Sequence, residues 1–147
     1  MAYVILMELR KLEPKDIPAV SKLVVESVTS DFKRVGEPFF NQKQYAEKLK
    51  AALEVMEFGV VAEENGEIVG FAHWYYQDNQ AFVEDLVVSQ KMRKKGFGKA
   101  LANFVIQACK KDKIDSITIL IPYGSAGIEF AKKFGFKPIT VELKLKL

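Results

Sequence analysis

The junction between residues 81 and 111 constrains the fold more than any other part of the chain. Ala81 to Ser89 is a β-rich run whose aliphatic stretch Leu86-Val87-Val88 suits a strand covered on both faces. It leads into a basic turn broken by Gly96 and Gly98. From Phe97 onward Leu101, Phe104, Val105 and Ala108 recur at helical spacing to about Lys111, where cationic residues gather in the final turn. A doubly covered strand that feeds an amphipathic helix demands a sheet with helices laid against it. The same junction suits an anion. The first amides of a helix have no intrahelical acceptor, and the helix dipole adds partial positive charge. Gly96 and Gly98 allow close backbone approach, and Lys91, Arg93, Lys94, Lys95 and Lys99 supply charge. Taken alone, the pattern also describes a solvated basic turn at a helix entry. The spacing lacks both the P-loop pattern and the full Gly-x-Gly-x-x-Gly fingerprint, which argues against a nucleoside triphosphate or a dinucleotide.

The remaining elements follow from period and punctuation. Ala2 to Met7 reads as a first strand, too short and too poorly flanked for a signal segment or a membrane span. Pro14 suits a first helical turn, and Ile17, Val20, Leu23, Val24 and Val28 then trace a helix. Residues 31–40 break the period with Gly36 and Pro38 and carry Phe32, Phe39 and Phe40. Asn41 and Gln44 form a capping-box start for a second helix to about Glu54. Phe58–Ala62 and Ile68–Tyr76 are strands joined by the hairpin signal Asn65-Gly66, with a further turn at Asp78-Asn79-Gln80. After the junction, Ser116–Ile121 reads as a buried strand, Ser125–Phe134 as a helix stopped by Gly135, and Phe136–Leu145 as a last strand. The order is β-αα-βββ-α-β-α-β, an α/β (α+β) class.

At 147 residues, 49% of them hydrophobic and 28% charged, the chain has the size and composition of one globular domain spanning 1–147. Its 22 basic and 19 acidic residues leave +3, too little to point to nucleic acid or a membrane surface as a partner. Cys109 is the only cysteine, so no intramolecular disulfide forms, and a reducing, cytoplasmic location is the simpler expectation. With one cysteine and one histidine, no metal site is expected.

The turn Arg93-x-x-Gly96-x-Gly98 resembles the central signature of the GNAT superfamily of N-acetyltransferases, Gln/Arg-x-x-Gly-x-Gly/Ala at a strand-to-helix junction. The likeness extends from Val83-Glu84-Asp85 through Ser89-Gln90-Lys91-Met92 to Lys99-Ala100-Leu101, and the element order fits nearly the whole chain. It implies a mixed, mainly antiparallel central sheet flanked by helices. It implies an acetyl-CoA:amine N-acetyltransferase, with acetyl-CoA as donor and direct attack by the amine in a ternary complex. The backbone of Leu86, Val87 and Val88 would pair with the pantetheine arm. The amides of Arg93, Lys94, Lys95, Gly96, Phe97, Gly98 and Lys99 would hold the pyrophosphate. The strands around Leu86–Val88 and Ile117–Ile121 would splay to admit the thioester. Candidate acceptors are a polyamine or other small amine, an antibiotic amine, a protein N-terminus and a lysine. Exposed sheet edges in the superfamily often support dimers, and the alternating Val141-Glu142-Leu143-Lys144-Leu145 is compatible with a contribution to a homodimer.

An amine with a lysine-like pKa near ~10.4 must lose a proton before it attacks, so a base should adjoin the thioester. Glu84 and Asp85 adjoin the coenzyme strand, and pleating sends neighbouring side chains to opposite faces, so only one should face the slot. Val83-Glu84-Asp85 is similar to the corresponding piece of diamine acetyltransferases, whose glutamate deprotonates the amine. This favours Glu84 as the base, with a salt-bridged or substrate-binding carboxylate as the alternative. Gly127-Ile128-Glu129-Phe130-Ala131 to Phe136 also resembles a family segment, but Ala131 stands where many members carry a proton-donating tyrosine, and Gly124 replaces the usual asparagine. Tyr123 is the substitute proton donor, with a core or rim tyrosine as its plain reading. These departures leave open an acyl-CoA-binding module with impaired catalysis. Phe32, Phe39 and Phe40 either wall an acceptor pocket or simply pack. His73 receives no role, and Cys109 lacks a nearby base in sequence for an acyl-enzyme route.

Overall fold

A computed structural model describes residues 7–147. One sheet runs in the order β1 (Met7–Lys11), β2 (Phe58–Glu64), β3 (Glu67–Gln77), β4 (Gln80–Val88) and β5 (Ser116–Ile119). Neighbours are antiparallel except β4 and β5, which are parallel. The helices are α1 (Ile17–Arg34), α2 (Gln42–Glu54), α3 (Phe97–Lys111) and α4 (Ala126–Lys132).

Local chemistry accounts for most boundaries. The Asn41 side chain accepts from the Gln44 amide at 2.8 Å and Gln44 returns a bond to the Asn41 amide at 2.9 Å, the reciprocal cap expected of that pair. Asn65 and Gly66 have φ of 52° and 81°, and Asp78 and Asn79 have 51° and 61°. Positive φ at both central residues matches the twist of an antiparallel pair, so β2, β3 and β4 follow one another through tight turns. α1 continues six residues past Val28, to Arg34, and shortens the expected loop.

The sheet is covered on both sides. Val60, Ala72, Trp74 and Val83 pack with Phe97, Leu101, Val105 and Cys109 of α3. Val61, Phe71 and Val87 pack with Val20, Leu23 and Val24 of α1 and with Tyr45 and Leu49 of α2. Alternation along β4 therefore sends Val87 to one layer, while Leu86 and Val88 join the other.

Three expectations change. The first strand reaches Lys11, beyond the end expected at Met7. Residues 2–6 lie outside the described part, and Glu8 and Arg10 take ladder positions opposite Glu63 and Val61. The strand expected at Ser116–Ile121 ends at Ile119 and is half-buried, because β4 is its one partner and their pairing stops at Val83↔Ile119. The strand expected at Phe136–Leu145 does not form: residues 136–147 have no regular secondary structure and no ladder partner among the described residues, and all of them beyond Phe136 are exposed. Alternation supplied a strand-like sequence, but no adjacent edge is hydrogen-bonded to it.

Candidate active site

The parallel pairing of β4 with β5 ends at Val83↔Ile119, so among the described residues no strand lies beside the β5-facing edge of Glu84 to Val88. That open edge leads to the basic turn. Residues 90–92 make a short 3-10 turn, Lys94 and Gly96 take φ of 65° and 89°, and Gly96 caps α3. The helical ladder begins where Ala100 N–H donates to Gly96 O at 3.0 Å, which leaves the preceding amides without intrahelical acceptors. A Cβ on Gly96 would meet no atom within 4 Å, so its requirement is the left-handed backbone. Gly98 differs: a Cβ there would stand 3.3 Å from Cζ of Phe130, so its requirement is the close seat of α4 against α3. Lys91 is turned away to Glu67 at 2.9 Å. The arrangement leaves helix-start amides without intrahelical acceptors at the end of an open strand edge, which suits a phosphate on an extended ligand.

The opposite layer holds the acidic groups. β3 and β4 pair His73↔Asp85 and then Trp74↔Val83, a bulge that leaves Glu84 without a partner on β3. An extra residue interrupts the alternation of the pleat. Both adjacent carboxylates reach α2 in consequence. Glu84 meets Lys48 Nζ at 3.2 Å, and Asp85 accepts from the Tyr45 hydroxyl at 2.5 Å. Pleating alone sends neighbours to opposite faces, and the bulge instead brings both to this layer. Lys48 also lies 5.1 Å from the centre of the Phe40 ring, and Phe40, Phe39, Phe32 and Tyr45 form a continuous aromatic cluster.

Asp85 anchors a buried chain of polar groups that sequence reasoning missed. His73, 3% exposed, places Nδ1 3.4 Å from Asp85 and Nε2 3.7 Å from Glu57. Burial, and then the Asp85 carboxylate beside it, raise the Tyr45 phenol far above its ordinary pKa, so it serves as a donor. The only sequence signal was the pairing of an acidic residue and a histidine on strands that the hairpin turns bring together.

Other candidates separate. Tyr123 lies in the turn that follows β5 and is 75% exposed. Ala131 is the buried residue of α4, and the Arg34 guanidinium lies against Gly124, its Nη1 3.0 Å from where a Cβ would stand. Cys109 sits in the α3 layer, where burial pushes its thiol pKa up and makes it a poor nucleophile.

Residues 25–136 match the sequence model of the acetyltransferase (GNAT) family. The chain belongs to that family. No curated protein matches it by sequence. Solved structures of similar fold include the PaiA N-acetyltransferase of Thermoplasma acidophilum in complex with coenzyme A, at 18% identity and a TM-score of 0.76 over 92% of each chain. A predicted acetyltransferase of Clostridium acetobutylicum with acetyl-CoA is similar over 96% of each chain, at 18% identity and a TM-score of 0.75. The ribosomal-protein-S18-alanine N-acetyltransferase of Escherichia coli is 17% identical with a TM-score of 0.75, over 92% of this chain and 80% of that one. This GNAT chain shares with them the mixed sheet flanked by helices. Among its described residues no helix is long and apolar enough to cross a membrane.

Proposed function

We propose that this GNAT protein transfers an acetyl group from acetyl-CoA to an amine by direct attack in a ternary complex. The observation that carries the reading is the open edge of β4 beyond Val83, with the amide-lined turn at one end and Glu84 at the bulge. The backbone of Leu86, Val87 and Val88 faces the pantetheine arm along that edge. The turn from Arg93 through Lys94, Lys95, Gly96, Phe97 and Gly98 to Lys99 receives the pyrophosphate. The thioester then lies near the bulge.

The acceptor approaches from the α2 side, where Glu84 takes the ammonium proton directly or through one water. The freed nitrogen attacks the thioester carbon, the adduct nitrogen gives up its remaining extra proton to solvent, and collapse of the adduct breaks the C–S bond and releases the thiolate. Holding both reactants on one edge supplies proximity. Lys48 supports an amine acceptor, because its own ammonium rests between the Glu84 carboxylate and the Phe40 ring. Ala131 has no proton to give. Tyr123 is the exposed phenol in the turn after β5, and we assign it delivery of the proton to the departing thiolate.

Thiol release from acetyl-CoA across an amine panel, followed by product mass, tests the whole reading. Acetylated amine with one thiol per product is expected. Coenzyme binding without thiol release from any amine would leave a binding module in its place. Unchanged turnover in Tyr123→Phe would hand protonation to water.

A further inference from the structure

The acceptor side of β4 already contains an amine. Lys48 projects from α2 and places Nζ 3.2 Å from Glu84 Oε2 and 5.1 Å from the centre of the Phe40 ring. Glu84 is the residue that the bulge leaves without a β3 partner, and among the described residues Lys48 is the one cation paired with it. The adjacent carboxylate is engaged elsewhere, since Asp85 accepts from the Tyr45 hydroxyl and adjoins His73 on the buried side.

The Lys48–Glu84 pair does little for the fold. Its side chains are 41 and 34% exposed, and an ion pair so open to water contributes at most about 1 kcal/mol. The long aliphatic stem of lysine is flexible, so the ammonium is held loosely enough to move along the site. Lys15, Lys91, Lys132 and Lys144 also pair with carboxylates, but those of Glu13, Glu67, Glu129 and Glu37 have no part in the proposed transfer. Lys48 alone among these pairs joins a primary amine to the carboxylate assigned as the base.

We infer that Lys48 is an internal acceptor: with acetyl-CoA bound and no other amine present, the protein acetylates its own Lys48. The inference rests on the acetyl-transfer reading and adds a substrate to that same site. Glu84 takes one proton from the Lys48 ammonium, and the neutral Nζ attacks the thioester carbonyl carbon. The adduct nitrogen loses its second proton to solvent. The C–S bond breaks, the amide bond remains, and the thiolate takes up a proton. One acetyl-CoA and one lysine ammonium thus give acetyl-lysine, coenzyme A and one proton. A short flexible tether presents its end group at an effective concentration of ~1 mM, so Lys48 competes with any free amine below that level. Acetylation removes the charge that pairs with Glu84.

Peptide mass mapping of the full chain after incubation with acetyl-CoA alone tests this, with circular dichroism as the check on folding of the variant. One acetyl group should appear on Lys48 at a first-order rate independent of protein concentration, ahead of the more exposed Lys15, Lys91 and Lys144. Unaided chemical acetylation favours accessible amines and would reverse that order. Glu84→Gln should slow the labelling of Lys48 by about 100-fold and leave that of the other three unchanged. A free amine that is itself turned over should suppress Lys48 labelling once it exceeds ~1 mM. Labelling of Lys48 no faster than of those three lysines, a rate that rises with protein concentration, or indifference to Glu84→Gln would each overturn the inference. Acetylation of free amines with Lys48 left unmodified would overturn it and leave the transfer reading standing. Coenzyme A binding with neither Lys48 nor any free amine acetylated would overturn both.

Discussion

The two sides of β4 are built by different means. Toward α3, the candidate phosphate turn consists of main-chain amides, and what matters there is a left-handed residue at Gly96 and the absence of a side chain at Gly98. Toward α2, the candidate acceptor site consists of side chains, Glu84, Lys48, Phe40 and the buried Asp85, brought together by one bulge. A backbone site tolerates change in most of its residues. A side-chain site depends on each group and on the register that aims it.

The largest separation between the two sides should come from Glu84→Gln, which removes a base and keeps the shape. Turnover should fall by about 100-fold while the dissociation constant for coenzyme A stays unchanged by calorimetry. Equal loss in both would put Glu84 in binding rather than chemistry. Gly98→Val should do the converse. A branched side chain has to displace Phe130, and overpacking of about 2 kcal/mol corresponds to roughly 30-fold weaker coenzyme binding. Partial recovery is expected when Phe130→Leu is added, and its absence would mean that the turn is damaged in some other way.

Tyr45→Phe probes the buried support of the α2 side. It strips the Asp85 carboxylate of its hydroxyl donor, so urea denaturation should register a loss of about 2 kcal/mol, with coenzyme affinity little altered. The smallest effect lies outside both regions. Hydrogen bonds from Arg10 hold the Asp16 carboxyl below its ordinary range, at 2.8 Å for each oxygen. A carboxyl depressed in the folded state stabilises above its unfolded pKa near ~4, and that contribution disappears as pH falls through the folded value. Asp16→Asn should therefore flatten the acid limb of a stability–pH curve by about 1 kcal/mol and leave the neutral-pH kinetics alone.

Much of the frame was legible in the chain because its signals are local. Asn65-Gly66 carries its own turn geometry, Asn41 and Gln44 carry their own cap, and Gly96 at a strand-to-helix junction carries its own left-handed residue. Each depends on neighbours within a few positions. The misreadings arose where a partner distant in sequence decides. Phe136 to Leu145 alternates like a strand, but a strand requires an edge, and none among the described residues takes it. Glu84 and Asp85 should have parted across the pleat, and a register slip against β3 brought both to α2.

By itself, then, the sequence determined the order of elements and the turn at Arg93 to Gly98, since glycine placement and periodicity are properties of short stretches of chain. Only the tertiary structure decided where β4 parts from β5, which carboxylates share a layer, and that His73 is buried between Asp85 and the half-buried Glu57. Those outcomes rest on register and on contacts between residues tens of positions apart, and no local pattern encodes them.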